Sequence, residues 1–98
     1  MRVEHLKEKN LRKAIEGYKR ALKFFKRSDA TIKYSEIQVL LGTAYGRLAE
    51  VREKEKNAKL AIKAYKEALT VYTRDAYPEL HKTVTHNLNQ AKAKMKEN

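Results

Sequence analysis

The sequence contains no cysteine and no tryptophan, one proline, and three glycines in 98 residues. Without cysteine there is neither a disulfide framework nor a thiolate metal site. The scarcity of proline and glycine leaves few places where a helix must break. No apolar run approaches the length needed to cross a bilayer. The opening Met1-Arg2-Val3-Glu4-His5 is too polar to begin a secretory leader. A cytoplasmic protein is therefore the expectation. Its length suits one domain with a modest core.

The residues that fill the sequence are Ala, Leu, Lys, Glu and Arg, the strong helix formers. Charge is the unusual quantity. The formal net charge is +11, and it is unevenly placed. Residues 1–27 carry ten Lys/Arg against three acids, a net +7. Residues 28–56 are balanced, with five of each sign, and residues 57–98 carry eight against four, a net +4. A basic N-terminal third steers toward anionic partners, nucleic acid or an acidic protein, or else simply keeps the surface solvated.

An internal repeat organises the chain. Lys7-Glu8-Lys9-Asn10 returns as Lys54-Glu55-Lys56-Asn57, a shift of 47 residues. The same shift places Ala14-Ile15 on Ala61-Ile62, Tyr18-Lys19 on Tyr65-Lys66 and Ala21-Leu22 on Ala68-Leu69. It also places Arg27 on Arg74, Leu41 on Leu88 and Ala44 on Ala91 without a gap. Such a period marks a stack of similar helical units.

Each unit holds two helical stripes. Ala14, Tyr18, Ala21, Leu22 and Phe25 step by three and four, as one buried helix face does. Their copies are Ala61, Tyr65, Ala68, Leu69 and Tyr72. A second stripe runs through Tyr34, Ile37, Leu41, Ala44 and Leu48, flanked by Leu40 and Tyr45, and is copied as Leu80, Val84, Leu88, Ala91 and Met95. Asn10 and Asn57 stand where an Asn can cap a helix start, and Pro78 suits a first helical turn. Polar stretches at 27–31 and 73–77 read as turns. The expected fold is all-α, with four helices at 3–26, 32–54, 58–74 and 78–96, arranged as stacked antiparallel hairpins.

Leu41-Gly42-x-x-Tyr45, followed by Ala61-x-x-x-Tyr65-x-x-Ala68-Leu69, resembles the tetratricopeptide-repeat (TPR) motif. The resemblance implies a short right-handed solenoid in a single domain over 1–98. It comprises the second helix of a partial repeat (10–26), a full repeat (32–74) and a terminal capping helix (78–96). Seven residues more than usual separate Leu41-Gly42 from Ala61. Seven residues are two helical turns, so the first helix lengthens without rotating its face. Long repeats of this kind, with Leu48-Ala49-Glu50-Val51 before a charged stretch and Tyr72-Thr73-Arg74 at the close, are similar to prokaryotic arrays. In the last helix Asn87-Leu88-Asn89-Gln90 replaces the Leu-Gly step with polar groups, as a cap requires.

The resemblance implies a protein–protein interaction scaffold with no catalytic residues and no cofactor. Its concave face, lined by first helices, would take a peptide or partner helix on Glu36, Val39, Thr43, Arg47, Thr83, His86, Gln90 and Lys94. The Lys/Asn clamp that some members use for a C-terminal carboxylate is missing, because Val39, Thr43, His86 and Gln90 stand at those points. The first helix has no partner before it. Leu11, Ile15, Tyr18 and Leu22 would then leave an apolar surface for self-association, most simply as a homodimer, unless the chain is part of a longer array.

Rival chemistries are weak in the sequence. His81 and His86 lie roughly 140° apart around a helix and do not converge on one metal ion. No glycine-rich phosphate loop or nucleophile motif occurs, and Glu16, Glu36, Glu50 and Glu67 sit singly among Lys and Arg. The main alternative is nucleic-acid binding through Arg12, Lys19, Lys23 and Lys26 on one face of the first helix, with Lys9, Lys13, Arg20 and Arg27 beside them. No base-stacking aromatics alternate with these charges. An engineered repeat with no native ligand is a further alternative.

Overall fold

The computed structural model describes residues 3–26 and 32–96, with side chains from His5 onward. Among the described residues it holds four helices and no strand: α1 Val3–Ala21, α2 Ile32–Leu48, α3 Lys54–Ala68 and α4 Pro78–Lys96. Consecutive helices pack on one another, and α2 also touches α4. The result is an elongated slab of 44 × 29 × 19 Å, so most helices keep one face open.

The core forms where the two stripes meet. Leu41, Ala44, Tyr45 and Leu48 from α2 close on Ala61, Ala64, Tyr65 and Ala68 from α3, and Val84, Leu88 and Ala91 complete it from α4. Alanines fill most of the α3 positions, and Ala58, Ala61 and Ala68 are completely buried. Small side chains let helix axes approach. At Gly42 the approach is closest: a Cβ there would lie 2.7 Å from Cε1 and 2.8 Å from Cδ1 of Tyr65. Thr43 Oγ1 hydrogen-bonds the Tyr65 hydroxyl at 3.0 Å and holds that ring against the glycine.

The helices end earlier than their patterns suggest. α1 stops at Ala21, five residues short of the expected Lys26, and residues 22–25 form a turn. Phe24 and Phe25 extend the apolar spacing past Ala21, but both lie outside the helix and are exposed. α2 ends at Leu48 instead of 54, and α3 ends at Ala68 instead of 74. α3 also begins at Lys54 instead of 58, because Lys54-Glu55-Lys56 form its first turn. The link between α2 and α3 is correspondingly tight, and Glu53 takes a left-handed conformation to close it (φ 37°, ψ 63°).

Asn57 therefore sits inside α3 and does not cap its start. It is buried, and its Nδ2 donates to the Arg52 carbonyl at 2.8 Å, securing the link from the far side. Asn10 lies mid-helix in α1 and is exposed. The expected turn at 27–31 lies outside the described residues. Pro78 opens α4 as expected. Before it, the Tyr72 and Tyr77 rings meet edge-to-face at 5.4 Å, and the half-buried His81 places Nδ1 3.0 Å from the Tyr72 carbonyl. Leu80, expected on the buried stripe of α4, is exposed, and Met95 is half-buried.

The glycines differ in consequence. Gly42→Ala forces the buried Tyr65 ring to move and is expected to cost about 1–3 kcal/mol. Gly17 has nothing within 4 Å of an added Cβ, so Gly17→Ala is expected to stabilise by about 0.5–1 kcal/mol through helix propensity. Urea denaturation of the two variants checks both signs.

Candidate functional site

The candidate concave face is the surface shared by α2 and α4. Thr43, Gly46, Arg47 and Glu50 from α2, Tyr65 from α3, and Asn87, Gln90, Ala91 and Lys94 from α4 line a cleft of about 200 Å³. Thr43, Arg47, Gln90 and Lys94 were expected there from the repeat register. The other four expected residues do not line this cleft. Glu36 is exposed and pairs with Lys33 at 3.3 Å, Val39 packs on the core, and Thr83 and His86 are exposed on α4. Gly46, Glu50 and Asn87 join the cleft without having been expected there. Gly46 and Asn87 lie one turn from Thr43 and Gln90 on the same faces, and Glu50 follows two turns after Thr43, just past the end of α2.

Lys94 closes one end of the cleft. Its Nζ donates to the Gly46 carbonyl at 3.0 Å and to Glu50 Oε1 at 3.1 Å, tying α4 to the C-terminal turn of α2. A lysine spanning to a carbonyl and a carboxylate serves as a latch between first helices. Arg47 and Gln90 remain exposed beside it.

Other polar groups are occupied structurally. Tyr34 donates its hydroxyl proton to Glu67 Oε1 and accepts from Gln38 Nε2, which joins α2 to α3 within the core. Glu8 bridges Arg12 at 3.1 Å and Arg52 at 3.0 Å, linking α1 to the turn after α2. Partial burial raises the Glu8 carboxyl, but Arg12 and Arg52 outweigh it and hold the group below the ordinary carboxylate value. Burial pushes the Tyr65 phenol above its usual value, partly offset by the Thr43 hydrogen bond and the Arg47 charge. Burial raises Tyr72 likewise, with Glu36 and Tyr77 adding to the shift.

The basic stripe of α1 is shorter than the sequence suggests. Because the helix ends at Ala21, Lys23 and Lys26 lie beyond it and do not continue the face of Arg12 and Lys19. Arg12 is engaged with Glu8, and Arg27 lies outside the described residues. The expected self-association patch changes too. Ile15 is buried in the core, while Leu11, Tyr18 and Leu22 are half-buried against it. The apolar groups most open near α1 are Leu6, Phe24 and Phe25.

Among the described residues no three His, Asp or Glu side chains gather as a metal site, and no helix is long and apolar enough to cross a membrane. Comparison with protein-family models, curated proteins and solved structures yields no match.

The two raised phenols give a pH test. The folded state holds their protons more tightly than the unfolded chain does. Their stability contribution is thus intact below the ordinary value of 10.0 and is lost as pH rises through their higher folded values. In an alkaline titration of phenolate absorbance, Tyr65 and Tyr72 should ionise late and together with unfolding. Tyr65→Phe and Tyr72→Phe should each remove one late step. A late phase unchanged in both variants would contradict this assignment.

Proposed function

We propose that the protein is a non-catalytic interaction scaffold of the tetratricopeptide-repeat kind, which binds a peptide or a partner helix. The observation that supports this most is the contact of Gly42 with Tyr65. The two residues are the small and aromatic members of the resembling motif, and they meet at the close approach that such helix pairs require. Beside them the α2–α4 cleft offers Arg47 and Gln90 over a polar floor of Thr43 and Asn87. A mix of donors and acceptors on rigid helices suits recognition of a peptide backbone and side chains. Specificity in such scaffolds resides in a few surface residues, not in the fold.

Homodimerisation has less support. Two α1 helices brought together would each bring the +7 charge of residues 1–27, and like charges oppose that pairing. Nucleic-acid binding through Arg12, Lys19, Lys23 and Lys26 has less support as well, since only the first two stand on α1.

Selection from a displayed random-peptide library tests the proposal. Recovered peptides should lose about tenfold or more in affinity with Gln90→Ala combined with Asn87→Ala. Their binding should largely persist between about 50 and 200 mM salt. A labelled single-stranded RNA that binds tightly at the lower salt, is released at the higher, and is lost with Lys19→Glu would instead establish the nucleic-acid reading. Peptides indifferent to both cleft substitutions would remove the cleft from the account.

A further inference from the structure

The repeat register shows what covers α3 and is missing over α1. Ala58, Ala61, Tyr65 and Ala68 of α3 and Tyr72 of the turn after it are all buried, with Tyr65 covered by α2 at Gly42. Shifted by 47 residues they become Leu11, Ala14, Tyr18, Ala21 and Phe25. The first four of these are only half-buried, and Phe25 is 39% exposed where Tyr72 is 2% exposed. The same chemistry therefore stands on α1 with one covering helix fewer.

A polar group shows the same deficit. Lys94 latches onto the Gly46 carbonyl and Glu50 of the preceding first helix. Its copy is Arg47, which lines a second cleft with Lys7, Asn10, Leu11, Glu50 and Val51, of about 620 Å³ between α1 and the end of α2. Arg47 stands where the last turn of a further helix would offer a backbone carbonyl, as Gly46 does to Lys94.

None of the helices among the described residues covers that face. α1 runs as a helix through Leu6, the position matching the left-handed Glu53, so no tight hairpin link forms there. α4 of a second copy fits poorly. It carries Asn89 where α2 has Gly42, so a Cβ would press on Tyr18, and Lys92 where α2 has Tyr45. A second α1 brings like charge.

We infer that the open face of α1, from Leu11 through Tyr18 to Ala21, with Phe25 in the turn after it and Arg47 of α2, docks an acidic amphipathic helix of a partner protein. The helix lies beside α2 and antiparallel to α1. It places a small residue over Tyr18, and its C-terminal turn presents a backbone carbonyl to Arg47. The positive charge of residues 1–27 selects acidic helices over basic ones. This inference shares the scaffold reading, and Arg47 borders both surfaces. Gln90 belongs to the α2–α4 cleft alone and Tyr18 to the α1 face alone, so substitutions at these two let the readings fail separately.

α2 itself supplies the probe: a fluorescein-labelled peptide with the sequence of residues 32–52, carrying Lys33→Glu and Arg47→Glu. Titrated by anisotropy with the full chain at about 150 mM salt, it should bind with a micromolar dissociation constant. Tyr18→Asp in the protein should weaken binding about tenfold or more, and Leu11→Ala by severalfold. Gln90→Ala should leave it unchanged. Circular dichroism checks that the Tyr18→Asp protein is folded, and a peptide carrying Gly42→Leu tests the same contact from the other side, again with about tenfold loss. A scrambled peptide of equal charge binding equally well would overturn the inference. So would displacement of the peptide by single-stranded RNA at the same salt, a Tyr18-dependent dimer by light scattering, or no binding at millimolar protein.

Discussion

Everything in this small fold depends on how closely α2 lies on α3. The closest point is Gly42, where the Tyr65 ring occupies the space that any larger residue would need. With the axes close at that point, alanine suffices on the α3 side at Ala61, Ala64 and Ala68, opposite Leu41, Tyr45 and Leu48 of α2. Thr43 then fixes the Tyr65 hydroxyl, and Tyr34 with Gln38 and Glu67 supplies a second polar tie across the same pair. Buried polar groups are tolerated when they are satisfied in this way. A chain this short has little stability in reserve, so one tightly packed helix pair carries a large share of it.

That pair also sets the character of the surfaces. α4 packs on α3 and reaches back to α2 through Lys94. This leaves a shallow polar cleft between the two first helices. α1 packs on α2 but has no equivalent of α2 on its other side. Side chains that are core in α3 are thus half-open in α1, and the same repeat yields a buried unit and an incomplete one. Both proposed binding surfaces follow from this asymmetry. The cleft is where two first helices sit side by side, and the α1 face is where one of them is lacking.

Much of the fold was legible in the sequence because a repeat reports packing twice. A position that is small or aromatic in both copies is constrained by contact, as at Ala14/Ala61 and Tyr18/Tyr65. Helix ends were less legible. Phe24 and Phe25 continue the apolar spacing of α1, yet the backbone turns at Leu22, and spacing alone cannot distinguish a helix residue from an apolar turn residue. Asn57 reads as a helix cap from its type and neighbours, but Lys54-Glu55-Lys56 start the helix earlier and the amide finds the Arg52 carbonyl instead. The cleft was legible at Thr43, Arg47, Gln90 and Lys94, which follow from the face of each helix. It was not legible at Glu36, Val39, Thr83 and His86, which lie away from the α2–α4 contact. Lys94 was legible as a surface cation but not as a latch, because its partners Gly46 and Glu50 are distant in sequence.

The central claim is that α1 and α3 are copies of one helix in unequal surroundings. Native-state hydrogen exchange on the unliganded chain measures this directly, helix by helix. The account predicts that amides of residues 61–68 exchange only through global unfolding, while those of residues 14–21 open about tenfold or more often. Equal protection of the two helices would contradict it, since α1 would then be as fully covered as its copy.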